Sequence, residues 1–296
     1  YGRWALGKVV VGDFNARFGQ GLLVWNGFSM SGVPSARAVY RNGTGISASR
    51  SFSEGLHGIG ADFNIGKYML SAAYDRRHRA LANLSRIGKT WQAGLTAYFS
   101  EGRLAASADW RAGFNGGAVF GEAALDGGVP ACLAGAFFIP RDGSMVSAAL
   151  RYYPSSYSGE MAGALRSSSK VSDEAGLSLA AQNGWGLVTF DSAWHLSKSK
   201  GTLKALAQIK NPFVLGNISF SPALRISERC SLDAGGGTQW RSDVRMQMDL
   251  VLGPWLASSR YNAVRCREWG WLWYGEIGYK REYGPHNRIS TYIRGE

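Results

Sequence analysis

From 241 to 252 the chain reads RSDVRMQMDLVL, with Arg241, Asp243, Arg245, Gln247 and Asp249 alternating with Val244, Met246, Met248 and Leu250. In an extended strand successive side chains point to opposite sides, so the polar set shares one face and the apolar set the other. The pattern predicts a β-strand that is wet on one face only. Two architectures use such strands: a soluble sandwich, whose apolar side faces a protein core, and a membrane barrel, whose apolar side faces lipid.

The alternation recurs along the chain. In TWQAGLTAYFS, Trp91, Leu95 and Phe99 oppose Gln92, Thr96 and Tyr98; Glu101 and Gly102 then form a turn signal leading into RLAASADWR, where Leu104 and Trp110 oppose Arg103, Ser107, Asp109 and Arg111. Together these segments predict an antiparallel hairpin. In WGLVTFDSAWHL, Val188, Phe190 and Trp194 oppose Thr189, Asp191 and His195, and the stretch from Val214 to Ile226 reads as one strand of about 14 residues, longer than ordinary globular strands. Similar segments at 8–18, 58–66, 67–77, 116–125, 131–139, 144–153, 174–183, 202–210, 255–264, 270–281 and 288–294 bring the expectation to about 14 to 16 strands, with no amphipathic helix and no linker. One domain over 1–296 follows. Two Ser- and Gly-rich stretches, 26–45 and 152–174, break the rhythm and are expected to be the longer loops that barrels carry on one side.

Composition narrows the choice. Glycine is high at 40 residues, proline is low at 8, and 12% of the chain is aromatic. That mixture suits many strands joined by tight turns, with amphipathic aromatics near an interface. No apolar run approaches the ~18 residues of a spanning helix, so a helical membrane protein is excluded. Aromatics near strand ends, such as Tyr152, Tyr153, Trp271, Trp273 and Tyr274, suit interfacial girdles. Closing so many strands into a barrel also removes the exposed edges of a large open sheet. The expected fold is therefore all-β, an antiparallel up-and-down transmembrane β-barrel.

The net charge of +12 fits a basic surface that serves solubility or headgroup contact, and equally a field that attracts anions. Charges of both signs sit on the polar faces, from Asp13 and Arg17 near the start to Glu276 and Lys280 near the end. In a barrel that face lines the lumen. The expected lumen-lining residues are Arg103, Asp109, Arg111, Arg151, Asp191, His195, Arg225, Arg241, Asp243, Arg245 and Asp249.

Candidate chemistry is sparse. Asp191 and His195 share a strand face, but four residues of rise separate them by roughly 13 Å, and Ser192 points the other way, so no Ser, His and Asp constellation forms. His78, in YDRRHRA, reads as part of a solvated basic loop. Gly19 and Gly21, in FGQGLL, lack the Lys and the Ser or Thr of a phosphate loop and read as a bend at a strand end. Cys132, Cys230 and Cys266 are too far apart for a zinc motif or a disulfide framework. No enzyme, metal or cofactor is expected. Strand parity also separates the aromatics from the basic residues, which argues against single-stranded nucleic acid.

Several segments resemble a known family. VVVGDFNARFGQGLLVWNGFS (9–29), GADFNIGKYMLSAAY (60–74), FGEAALDGG (120–128), the stretch 148–179 and HNRISTYIRGE (286–296) are similar to the porin-like barrel region of Bacteroidota-type outer-membrane proteins that carry an N-terminal helix-hairpin-helix region related to DNA-uptake proteins. That region has no counterpart in these residues, so no nucleic-acid binding is carried over. In the family the chain continues for a few strands past the point matching Glu296, which implies a barrel left incomplete at its C-terminal side. The resemblance implies the cell outer membrane as location, with outer-membrane lipid and lipopolysaccharide as surroundings and other envelope proteins as partners. The expected function is a passive channel with a net basic lumen, passing small anionic solutes, or a membrane anchor of an envelope assembly. A non-conducting plugged barrel that binds a partner through its long loops is the alternative, and a soluble β-sandwich binding module is a third.

Overall fold

A computed structural model of the chain describes residues 4–27, 29–49, 55–141, 143–282 and 288–295. Its strands are β1 (Trp4–Arg17), β2 (Gly45–Ala48), β3 (Leu56–Ile65), β4 (Tyr68–Asp75), β5 (Arg79–Ile87), β6 (Trp91–Ser100), β7 (Arg103–Phe114), β8 (Gly117–Asp126), β9 (Val129–Phe138) and β10 (Met145–Tyr153). They continue with β11 (Glu174–Gln182), β12 (Gly186–His195), β13 (Lys200–Lys210), β14 (Phe213–Leu215), β15 (Ile218–Leu232), β16 (Thr238–Leu252), β17 (Trp255–Arg265), β18 (Trp269–Glu282) and β19 (Arg288–Gly295). The one helical element among the described residues is a single 3-10 turn, Ala36–Val39. No helix among the described residues is long and apolar enough to cross a membrane.

The nineteen strands found among the described residues join one antiparallel, up-and-down sheet. From β3 to β13 each strand pairs with its neighbours in sequence; β13 then pairs with β15, and the pattern runs on to β19. β1 pairs with β3 along most of its length and with β2 through its last residues. Among the described residues β19 pairs with β18 alone, so the sheet is not closed. Tight turns hold the hairpins. At Glu101 and Gly102 both residues have positive φ, 50° and 78°, the mirror-image turn whose twist matches the strands it joins.

The register follows the hydrophobic alternation, with four differences from the sequence-based expectation. β5 was not expected: RALANLSRI follows a basic turn and is framed by Arg79 and Arg86, which hide its alternation. The stretch 213–226 is two strands, because Gly216 (φ 59°) turns the chain and the three-residue β14 folds back on β15. Asp13 lies on the side of Val9 and Val11, where it meets His57 Nδ1 at 2.9 Å near the sheet's end. Tyr153 belongs to no girdle; it is fully buried, and Tyr274 lies on the charged face under Arg260. With β2, β5 and β14 included, the strand number exceeds the expected 14 to 16.

Burial is inverted relative to a soluble sheet. On β3 to β12 the polar side is covered: Ser71, Asn83, Thr96, Ser107, Glu122, Ser147 and Ser178 are all buried. The apolar side is bare, with Leu95 62%, Leu104 64% and Leu150 62% exposed, and Trp110, Val188 and Trp194 alongside them. What covers the polar side is the chain itself. The stretches 18–44 and 154–173, which include most of the 26–45 and 152–174 segments expected to be the longer loops, fold over that face, burying Leu22, Val24, Val33, Val39, Tyr157, Leu165 and Val171. Inward residues from nine strands reach them: Leu56, Ala73, Leu81, Tyr98, Ala105, Phe120, Leu133, Ala149 and Ala180. Nine flat strands would span about 40 Å, too wide for two short segments to touch throughout, so the sheet curls around them.

Close packing on this face is set by small residues. A side chain at Gly135 on β9 would place its Cβ 2.6 Å from the ring of Phe120 and 2.5 Å from the carbonyl oxygen of Ala148. We expect Gly135→Leu to lower stability by about 1–3 kcal/mol, the cost of overpacking a filled interior. Urea unfolding in detergent, followed by tryptophan fluorescence, measures it; an unchanged midpoint would mean that this face is loosely filled.

Candidate functional site: the charged inner face and the segments inserted against it

The inserted segments are held by wall side chains that need partners. Glu122 on β8 is almost wholly buried, and its Oε2 accepts the backbone N–H groups of Gln20 (2.7 Å) and Leu22 (3.0 Å). The approach is possible because Gly19 (φ 54°) has no side chain, since a Cβ there would lie 2.8 Å from the same oxygen. This is the strand-end bend expected for Gly19 and Gly21. Further along, Ser147 donates to the carbonyl of Ala36 (2.7 Å), and Gln182 Oε1 accepts the N–H of Ala36 (3.1 Å). Tyr153 donates to the carbonyl of Leu165 at 2.7 Å.

The two segments also bind each other. Trp25 N–H donates to Met161 O (2.7 Å), Gly163 N–H to Gly21 O (2.9 Å) and Tyr157 Oη to Leu22 O (2.8 Å). Arg166 donates to Ser29 Oγ (2.8 Å) and Ser29 O (3.0 Å), and Arg41 donates to the same hydroxyl at 3.1 Å. Burial, together with the nearby Arg166, pulls the Arg41 pKa down to about 10, and its guanidinium lies over the Trp25 ring at 5.0 Å. Burial likewise raises the Tyr157 phenol above its ordinary value. Both groups keep their neutral-pH protonation state, so the insert carries fixed charge.

A second anchor is an ionic knot. Arg151 on β10 pairs with Glu174 on β11, donates to Ser178 Oγ (2.6 Å) and meets Asp191 on β12 at 2.9 Å. Glu174 in turn accepts the N–H groups of Ser167 (2.9 Å) and Ser168 (3.2 Å), and Lys204 donates to Ser167 Oγ at 2.8 Å. One buried guanidinium thus organises three strands and the tip of an inserted segment.

No family model, curated protein or solved structure matches the chain.

The expected lumen-lining residues all fall on the charged face, but in two environments. Asp109 lies buried opposite Glu122, Arg111 stacks on Tyr40 of the insert at 5.1 Å, and Arg151 and Asp191 form the knot. Arg103 pairs with Asp126 at 2.7 Å at the strand ends, and His195 Nδ1 lies 3.2 Å from the carbonyl oxygen of Asp173. His195 and Asp191 have separate partners and build no joint site. Beyond β13 the insert no longer covers the sheet. There Arg225, Arg241 and Arg245 are exposed; Arg241 pairs with Asp243 (3.0 Å), Arg245 donates to Asn262 (2.9 Å), and Asp249 accepts from Ser258 (2.7 Å). Glu122 and Glu174 were not singled out from the sequence. The available signal was a lone acid at inward parity on a strand of small apolar residues, as in FGEAALD.

We expect Arg151→Met to destabilise the protein by about 3–5 kcal/mol, because it strands Glu174 and Asp191 without their cation. Arg151→Lys, which keeps the charge but not the three-way fork, should fall between the two. Urea unfolding of the detergent-folded proteins orders the three; equal midpoints for wild type and Arg151→Met would remove the knot from the account.

Proposed function

We propose that this chain is a β-barrel wall of a Gram-negative outer membrane, its lumen beside β1–β13 plugged by residues 18–44 and 154–173, and that it serves as a membrane-embedded anchor of an envelope assembly. The observation that carries the reading is the inverted burial. Fully covering each bare Leu, Val, Trp or Phe is worth about 1.5–3 kcal/mol, and hydrocarbon covers a continuous band of them without a partner protein. A sandwich reading puts the polar face in water, and here, over β3–β12, that face is under the insert. The resemblance of 9–29, 60–74 and 148–179 to porin-like barrels of Bacteroidota-type outer-membrane proteins points the same way.

A second reading is favoured by the bare charged face of β15–β17. With Arg225, Arg241 and Arg245 uncovered, the part of the lumen next to these strands would pass small anions even while the rest is plugged. The two readings differ in conductance.

Two outcomes are expected. Leu95→Arg, in the middle of β6, should cost about 2–4 kcal/mol in lipid vesicles, as a cation at the bilayer midplane does. Urea titration of vesicle-inserted protein reads it, and a wild-type midpoint would place this face away from lipid. In planar bilayers the full-length protein should conduct little. Replacing 158–170 with a short Gly and Ser linker should open larger steps; wide, stable steps from the unaltered protein would sink the plug.

A further inference from the structure

The strand register puts like charges face to face on the uncovered part of the charged face. Arg225 on β15 lies directly opposite Arg245 on β16, and four residues along, Arg229 lies directly opposite Arg241. Lys204 on β13 is the other neighbour of Arg229, so that row runs Lys204, Arg229, Arg241 across three strands. Directly opposed side chains sit with Cβ atoms about 5 Å apart, and like charges so placed repel. The surroundings do little to relieve this. The carboxylate between the two rows, Asp243, is held by Arg241 at two 3.0 Å contacts, and Asp191 beside Lys204 is held by Arg151. Arg225 and Arg229 have no hydrogen-bond or ion-pair partner among the described residues. The lower row opens into a recess of about 610 Å³ whose lining includes Arg225, Ser227, Arg241, Asp243, Arg245 and Asn262.

The contrast with Arg151 makes the point. Where this sheet needs a guanidinium for its own cohesion, it supplies carboxylates on neighbouring strands. Where it opposes Arg225 to Arg245 and Arg229 to Arg241, the carboxylate between them, Asp243, is taken by Arg241, and the negative charge that Arg225 and Arg229 lack has to come from outside. We propose that these two rows bind a soluble polyanion bearing phosphate or sulfate groups. Arginine forks match tetrahedral oxyanions with paired N–H donors, which suits each row to one anionic group. The rows lie roughly 13 Å apart along the strands, so an extended chain carrying several anionic groups engages both, whereas a single phosphate engages one. Asn262 and Ser227 add neutral donors at the lower row. This inference rests on the reading of the charged face as turned away from lipid, and it names what that face would take.

The test is isothermal titration of the full-length, detergent-folded protein with linear hexapolyphosphate, orthophosphate and phosphatidylglycerol nanodiscs. Saturable binding of hexapolyphosphate, tighter than that of orthophosphate, is expected. The variants Arg225→Gln/Arg245→Gln and Arg229→Gln/Arg241→Gln should each weaken it by about tenfold or more, the effect of losing charge-assisted hydrogen bonds. The charge-matched control Arg76→Gln/Arg77→Gln, in the exposed turn before β5, should bind as wild type does. Removing one row should leave urea stability of the free protein unchanged or raise it, since repulsion is relieved; a purely structural role for the arginines predicts a fall. The proposal is overturned if folded wild type does not bind hexapolyphosphate, if the control loses as much as the row variants, or if only the lipid nanodiscs bind. Because binding is read in detergent, its failure leaves the vesicle result for Leu95→Arg standing, and the two readings fail separately.

Discussion

Glu122 is sealed from solvent, and a carboxylate in that position has to be given donors. Its own strand cannot provide them, because the backbone groups of β8 are spent on β7 and β9. The donors come from Gln20 and Leu22, about a hundred residues earlier in the chain. That single requirement explains much of the architecture. To deliver two N–H groups to one point, the chain must leave β1, turn at Gly19 and Gly21, and run across the charged face. Once there it buries Leu22 and Val24, and the second segment closes over it through Tyr157 and Gly163. Glu174 repeats the arrangement with Ser167 and Ser168. Wall carboxylates and insert backbone are thus each other's solution: neither is satisfied without the other.

The same logic says which parts of this structure could be read from sequence. Strand parity is a local property, and it was legible wherever polar and apolar residues alternate cleanly: RSDVRMQMDLVL became β16, and the 91–111 hairpin became β6 and β7 in register. It failed where local chemistry interrupts the alternation. Arg79 and Arg86 masked β5, and Gly216 was read through as strand when it is a turn. The destination of 18–44 and 154–173 could not be read at all. Their composition says loop; that they go inward is decided by Glu122, Gln182 and Glu174, partners that periodicity does not connect to them. The site residues divide in the same way. Their shared face was legible, and their division into a covered and an uncovered group was not, because it depends on how far the insert reaches.

That division carries the functional argument. Over β1–β13 the sheet behaves as a filled structure: small inward residues, buried hydroxyls and ion pairs matched to the insert. Over β15–β17 the same alternation continues with larger charged side chains, and among the described residues neither inserted segment lies on them. A wall built only to hold an insert would keep small inward residues such as Gly135 and Ala149, which pack beside Phe120. Instead the charge density rises where the insert ends, and the arginines there are opposed to one another. The plug and the basic strip are therefore best understood as two uses of one face, the first satisfied within the molecule and the second left for a ligand. An anion held on the strip would lie close to Lys204, the residue whose other contact is the tip of the insert at Ser167. Binding there and retention of the plug share a side chain, so a ligand that recruits Lys204 weakens one of the ties that hold 154–173 in place.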